Sequence, residues 1–134
     1  MTLAPSGFLT IGSTQLEYRV AGDPAEPPTI VMLHEGLGSA ALWGDFPDKL
    51  ADATSTTVFA WSRAGYGASS PVRLPRPLTY MHDEAKDVLP ALLDAIGFRR
   101  GLLLGHSDGA SIAAIYAGSI EDFRVRGLVL VAPH

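Results

Sequence analysis

The sequence predicts an α/β domain with a mostly parallel sheet, an antiparallel hairpin at its N-terminal end and helices on both faces of the sheet. Short apolar runs, of the kind found in buried parallel strands, alternate with segments in which apolar residues recur at helical spacing. Ahead of them, two β-prone segments are separated only by Gly12-Ser13-Thr14. Because strands alternate with helices, right-handed crossovers and a single domain are expected.

Each predicted element has a local signal. The hairpin joins residues 8–11 to residues 15–20, and further strands cover residues 29–33, 56–60, 101–105 and 125–131, of which the first two are expected to be buried. The helices are predicted over residues 46–53, 79–96 and 107–117. Asp45 and Thr79 are expected to precede the first two helices as N-caps. Gly97 is expected just beyond the second helix, and Pro90 predicts a kink inside it.

The composition excludes several classes of function. With 47% hydrophobic and 18% charged residues, the 134-residue chain has a globular composition. Ten lysines and arginines against fourteen acidic residues give a net charge of −4 without a basic stripe, which argues against nucleic acid as a partner. The absence of cysteine excludes disulfides, cysteine-ligated metals and a thiol nucleophile. No apolar run approaches the roughly 20 residues that span a bilayer and the N-terminus lacks a signal peptide pattern, so no membrane partner and a cytoplasmic location are expected.

The sharpest chemical signal is the pentapeptide Gly105-His106-Ser107-Asp108-Gly109, which fits Gly-x-Ser-x-Gly between an apolar strand and an alanine-rich helix. A nucleophilic serine has to stand clear of the sheet on a sharp strand-to-helix turn. Glycines two residues before and after it relieve the crowding of such a turn. The following helix aims free N–H groups and its positive dipole end at the same point. The alternative interpretation is an ordinary strand–turn–helix with a surface serine.

A second signal lies after the first long apolar strand. An acyl-transfer serine needs hydrogen-bond donors for the developing oxyanion. One expected donor is the backbone N–H of Asp108, which follows Ser107. The other is expected from the turn His34-Glu35-Gly36-Leu37-Gly38, with Gly36 as the first choice and Leu37 as the alternative. The simpler interpretation is that these glycines only form a tight turn.

The sequence resembles the α/β-hydrolase superfamily, in its esterase and C–C-hydrolase branch. The resemblance is carried by the hairpin start, the motif of residues 34–39, the motif Ser62-Arg63-Ala64-Gly65-Tyr66-Gly67-Ala68-Ser69 and the pentapeptide 105–109. It implies Ser107 as the nucleophile, the amides of Asp108 and of Gly36 or Leu37 as the oxyanion hole, a small-molecule substrate, and neither cofactor nor metal. Two residues depart from the common pattern: Glu35 replaces glycine, and Ser62 replaces aspartate.

The base and the acid of a catalytic triad have no match in this chain. The superfamily order is serine, acid, histidine, and the short segment after Ser107 offers only Glu121, Asp122 and His134. We therefore expect residues 1–134 to be the N-terminal part of a single domain, without its last strands and cap, ending where a cap insertion would begin. The C-terminal half as a second chain, or a self-associated assembly, is the expected partner.

None of the four histidines is expected to be the base. His34 is expected to make a loop hydrogen bond, and His106 to pack under the glycine turn. His82 reads as part of a solvated helix start, and His134 cannot be placed from the sequence.

Two other functions remain open at this point. A dinucleotide-binding oxidoreductase is suggested by residues 36–41, which match Gly-x-Gly-x-x-Gly/Ala, but no carboxylate ends the next strand. A non-catalytic protein that keeps the fold and binds a small ligand is the other. Four aromatic residues could line the substrate pocket or lie in the core: Trp43, Phe46, Trp61 and Tyr66. For Trp43 and Phe46 a core position is favoured.

Overall fold

A computed structural model describes residues 2–134 and folds them around one mixed sheet. The strands are β1 (Ser6–Ile11), β2 (Thr14–Ala21), β3 (Ile30–Leu33), β4 (Val58–Trp61), β5 (Gly101–His106) and β6 (Val125–Val131). The α-helices are α1 (Phe46–Thr54), α2 (Tyr80–Asp83), α3 (Leu89–Ala95) and α4 (Asp108–Ser119). A 3₁₀ turn covers Ala41–Trp43, and a π-helical turn, Glu84–Val88, lies between α2 and α3.

The sheet has the order β1-β2-β4-β3-β5-β6. β1 and β2 form the antiparallel hairpin, β2 is antiparallel to β4, and the last four strands of the order are parallel. The predicted fold class is therefore confirmed. β3 and β5 are neighbours, and Leu33 at the end of β3 pairs with Gly105 near the end of β5. This pairing places the loop after β3 beside the turn that contains Ser107.

Helices cover both faces of the sheet, as expected. On one face α1 contributes Ala51 to an apolar cluster that contains Met32 and Ala60. On the other face α3 and α4 contribute Leu92 and Ile112 to a larger cluster of buried residues, together with side chains of the central strands. The central strands are buried on both faces, which explains their uninterrupted apolar sequence.

The helix predicted over residues 79–96 is divided. It begins after Thr79 and is followed by Gly97 with φ of 70°, both as predicted. The irregularity is the π-helical turn, and Pro90 lies in the first turn of α3 directly after it. Pro90 has no N–H for the carbonyl of Lys86, one turn back, so the helical bonding pattern has to change before it.

The two edges of the sheet differ. β1 forms one edge and carries a single large exposed apolar side chain, Phe8. β6 forms the other edge, and its residues Leu128, Val129, Leu130 and Val131 are 36–48% exposed. The C-terminal half of β6 is thus an uncovered apolar strand within the part of the chain that the structure describes. No helix in residues 2–134 is long and apolar enough to cross a bilayer.

Candidate active site

Ser107 lies in a strained backbone conformation at the corner between β5 and α4. Its φ of 53° and ψ of −112° are unusual for a residue with a side chain. Hydrogen bonds hold both sides of the residue: its N–H donates to the carbonyl of Val131 (2.8 Å), and its carbonyl accepts the N–H of Ser111 (3.0 Å). The side chain is half-buried at the N-terminus of α4, whose first helical residue is Asp108.

The flanking glycines are required by close backbone approaches. A Cβ on Gly105 would overlap the carbonyl of Gly109, which is the crowding that the motif predicts. A Cβ on Gly109 would overlap the carbonyl oxygen of Leu33, at the end of β3. Gly109 therefore also allows α4 to lie directly against β3, which the local motif does not reveal.

The loop after β3, which we call the β3 loop (residues 34–39), lies against the residue that follows Ser107. A Cβ built on Gly36 would be 3.5 Å from the carboxyl carbon of Asp108. Leu37, by contrast, is 85% exposed. Within residues 2–134, neither the N–H of Gly36 nor that of Asp108 donates a hydrogen bond. Of the two predicted loop donors, Gly36 is the one that packs beside Asp108.

His34 stabilises this loop as a neutral residue. Its side chain is buried, Nδ1 donates to the carbonyl of Glu35 (2.7 Å), and Nε2 accepts the N–H of Arg63 (3.0 Å). Burial and then the Arg63 charge lower its pKa from 6.5 to about 4. The predicted loop hydrogen bond of His34 is confirmed, and both ring nitrogens are occupied.

The carboxylate of Asp108 is the centre of a polar cluster. It is 6% exposed and accepts hydrogen bonds from the Tyr80 hydroxyl (3.1 Å to each oxygen) and from Nε2 of His134 (3.0 Å). Nη1 of Arg63 lies 3.6 Å from Oδ2. Burial, followed by the bond to Asp108, raises the pKa of Tyr80. His134 is also held through its backbone, which exchanges two hydrogen bonds with the Ser111 hydroxyl (2.9 and 3.0 Å).

Sequence reasoning missed the three partners of Asp108. A charged side chain that is buried needs polar partners, so a partner for Asp108 could have been expected. Arg63, in the motif of residues 62–69, is a cation that could have been considered. Nothing local connects Tyr80 or His134 to the site, because both are brought there by the fold.

A small cavity of about 190 Å³ opens beside the β3 loop. Trp43 and His106 border it, with ring centroids 6.4 Å apart. The core position favoured for Phe46 is wrong, because this residue is 42% exposed where it begins α1 at the surface. Trp43 is partly buried and packs against the apolar cluster of Met32 and Ala60, and it also borders this cavity. Trp61 is the core residue instead. Tyr66 packs on the His34 ring at 4.7 Å.

Ser62 is the second residue at which the chain departs from the common pattern of the superfamily. Its hydroxyl is fully buried, donates to the Glu17 carboxylate (2.7 Å) and accepts the N–H of Ala40 (2.8 Å). Ser62 therefore links β2 to the end of the β3 loop.

Within residues 2–134, none of the imidazoles makes a hydrogen bond to the Ser107 hydroxyl. His82 is exposed on α2, and His106 faces the small cavity. The described residues also contain no group of three or more histidine, cysteine or acidic side chains that could hold a metal. The glycine turn is followed by the 3₁₀ turn and not by a helix, so the N-terminal helix dipole of a dinucleotide site is missing there.

Known proteins share this architecture. A family model for the alpha/beta hydrolase fold matches residues 28–134. Proline iminopeptidase of Lactobacillus helveticus is 30% identical over 113 residues, which cover 84% of this chain and 38% of that protein. The serine hydrolase BPHL of Homo sapiens is 31% identical over 124 residues, 91% of this chain and 41% of that protein. A solved structure of a bacterial membrane phospholipase A has a TM-score of 0.81 and 26% identity, and the match covers 96% of this chain and 39% of that one.

The chain thus spans 38% and 41% of the length of these two curated relatives. The matched family model covers the three parallel crossovers, the β3 loop and the Ser107 turn. Together with the strand order, this shows that the chain belongs to the α/β-hydrolase fold family and that its relatives are hydrolases.

Proposed function

We propose that this chain supplies the nucleophile and the oxyanion hole of a serine hydrolase that acts on a carbonyl substrate through an acyl-enzyme. The observation that carries the proposal is the conformation of Ser107, a non-glycine residue at φ of 53° on the N-terminus of α4, with Gly36 packed beside Asp108. Strained backbone of this kind persists where the surrounding structure over-determines it, and it clusters at active sites. A carboxylic ester or an activated C–C bond is the proposed substrate class.

The proposed chemistry follows from the groups present. Oγ of Ser107 attacks the carbonyl carbon while a base removes its proton, and the carbonyl electrons move to oxygen. The free N–H groups of Asp108 and Gly36 donate to that oxyanion, with Leu37 as the alternative donor. The tetrahedral intermediate then expels the leaving group, which takes up the proton, and water hydrolyses the acyl-serine.

The base and its orienting acid are proposed to come from residues outside this chain. Two observations support this: no described imidazole bonds to Ser107, and the chain spans about two-fifths of its curated relatives. The C-terminal half of the same protein, docking as a separate chain or continuing the domain, is the proposed source.

A fluorophosphonate probe tests the nucleophile in the protein with its base and acid present. We expect one labelled serine, located by peptide mass spectrometry at Ser107, and at least about 100-fold slower labelling of Ser107→Ala. The matched control is Ser119→Ala at the exposed C-terminal end of α4, which should label at the wild-type rate. Labelling that persists in Ser107→Ala would contradict the proposal.

A non-catalytic ligand-binding role is the second candidate. It is favoured by the cavity of about 190 Å³ and by the lack of a hydrogen bond to the Ser107 hydroxyl from any residue in 2–134. An absence of labelling, with a small carbonyl ligand still bound and shifting the resonances of Trp43 and His106, would favour that role.

A further inference from the structure

Arg63 is a buried arginine that contacts both proposed halves of the oxyanion hole. Its side chain is 1% exposed. Nη2 donates to the carbonyl of His34 (3.2 Å) and to the carbonyl of Glu35 (3.3 Å), both in the β3 loop. Nη1 lies 3.6 Å from the Asp108 carboxylate on the other side. The two ends of one guanidinium thus reach the loop and the residue after Ser107.

The bond to Glu35 fixes a direction as well as a position. The peptide bond between Glu35 and Gly36 is planar, so the N–H of Gly36 points opposite to the carbonyl of Glu35. That carbonyl accepts three hydrogen bonds, from Nδ1 of His34 (2.7 Å), from the N–H of Gly38 (3.0 Å) and from Arg63. Rotation of this peptide would break all three bonds. The hydrogen bonds to the Glu35 carbonyl therefore fix the direction of the Gly36 N–H.

We propose that Arg63 is the positioning residue of the oxyanion hole: it holds the Glu35–Gly36 peptide and the Asp108 side chain in one arrangement, so that both amides converge beside Ser107. This inference rests on the proposed function and concerns the same site. Arginine suits the role because its planar fork can serve two carbonyls with one nitrogen and face a carboxylate with another. A lysine has a single nitrogen and cannot span the two halves.

The surroundings of Arg63 oppose any alternative position. The ring of Tyr66 lies 4.9 Å from its central carbon, and the same ring packs on His34. Burial raises the pKa of Glu84, in the π-helical turn, and the positive charge of Arg63 opposes this rise. The buried guanidinium thus donates to two carbonyls and faces one carboxylate, which favours a single position.

Arg76 provides a matched control. Its central guanidinium carbon lies 5.0 Å from the centre of the same Tyr66 ring, and its side chain donates to the carbonyl of Ala64 (3.1 Å). It makes no hydrogen bond or ion pair with the β3 loop or with Asp108 among the described residues. Substitution of Arg76 therefore removes a neighbouring cation without touching the proposed oxyanion hole.

The test compares Arg63→Met, Arg63→Lys and Arg76→Met in the protein with its base and acid present. For a p-nitrophenyl ester, we expect Arg63→Met to lower kcat about 100-fold with KM changed less than about threefold, since only the transition state uses the oxyanion hole. The affinity for a boronic acid, which forms a tetrahedral adduct on Ser107, should fall by about the same factor. Arg63→Lys should lose about tenfold in both, and Arg76→Met less than about threefold.

The outcomes separate a positioning role from a merely structural one. A lowered Tm with unchanged kcat and boronate affinity per folded molecule would overturn the proposal, as would equal losses in Arg63→Met and Arg76→Met. If Arg63→Met does not fold, Arg63→Lys and Asp108→Asn replace it in the test. Asp108→Asn removes the carboxylate charge that faces Nη1 of Arg63. A lowered kcat with a nearly unchanged KM in these variants would support the positioning role. Absence of Ser107 labelling in the wild type would instead refute the proposed function, whereas wild-type labelling with fully active Arg63 variants would refute only the role of Arg63.

Discussion

His34 shows how one buried side chain can make the fold sensitive to pH. The ring is 2% exposed and uses Nδ1 as a donor and Nε2 as an acceptor. A proton on Nε2 would remove the acceptor for the N–H of Arg63 and would place a second positive charge beside the Arg63 guanidinium. The charged form is therefore excluded from the folded state until about pH 4.

The stability of the fold should fall when the pH drops from about 6.5 to about 4. In that window the unfolded chain protonates His34 and the folded chain does not, so acid favours unfolding, by up to about 3 kcal/mol. Urea unfolding measured between pH 7 and pH 4 checks this. His34→Asn, which cannot titrate there, should flatten the slope, and His82→Asn on the exposed helix should not. Parallel slopes for wild type and His34→Asn would contradict the assignment.

For single residues, a functional role can be predicted from the sequence where neighbouring residues in the chain impose the conformation. Ser107 and its flanking glycines are recognisable because the turn acts on neighbours in the chain. Arg63 and Tyr80 are not, because they reach Asp108 from 45 and 28 positions away. Their roles come from burial, which the pattern of residues around them does not reveal.

At the scale of the elements, one polar cluster connects α4 to the start of β6. Asp122 accepts hydrogen bonds from Nε and Nη2 of Arg124 (2.9 and 2.8 Å) and from the hydroxyl of Tyr116 in α4. The Arg124 bond is the largest effect that lowers the pKa of Asp122 to about 2. Arg124 also pairs with Asp94 of α3 at 2.8 Å. The cluster thus holds the connection on which the position of β6 depends.

Asp122→Asn should lower the free energy of unfolding by about 2 kcal/mol, because the side chain is 9% exposed and its charge accepts several bonds. Asp94→Asn is the matched control: it removes the other carboxylate of Arg124, but this one is 72% exposed and should cost less than about 0.5 kcal/mol. Chemical denaturation at pH 7 measures both. An equal decrease in the free energy of unfolding in the two variants would contradict the larger role assigned to the buried Asp122 carboxylate.

The elements themselves were predicted most accurately where one physical signal dominates. β6 has its predicted bounds because it contains a run of apolar, β-prone residues. α1 begins at the predicted residue because a proline in the first turn favours a helix start there. The helix after Thr79 was predicted with a kink at Pro90, and the structure has a π-helical turn directly before the segment that contains this proline. Apolar spacing alone cannot distinguish an α-helical from a π-helical turn.

At the scale of the whole molecule, the strand order brings the site together. β3 inserts between β4 and β5, so the loops that follow these three parallel strands meet at one end of the sheet. Arg63 follows β4, the β3 loop follows β3, and Ser107 follows β5. Ligand sites of open α/β sheets form at the carboxyl ends of the strands for this reason. The order of elements along the chain predicts the class of fold, but only the pairing shows that these three loops are neighbours.

The sheet edge at β6 should make residues 1–134 associate when they are expressed alone. Four consecutive apolar residues, Leu128 to Val131, are 36–48% exposed on a strand with unpaired backbone groups, and such an edge pairs with other chains. Val129→Lys should weaken the association about tenfold, equivalent to about 1.4 kcal/mol, because a charge would have to be buried in the new interface. Phe8→Lys, which places the same charge on the opposite edge strand β1, should leave the association constant unchanged. Sedimentation velocity over a range of concentrations measures all three proteins. A wild-type chain that stays monomeric throughout would contradict the prediction, and an equal effect of Phe8→Lys would show that the contact is not specific to the β6 edge.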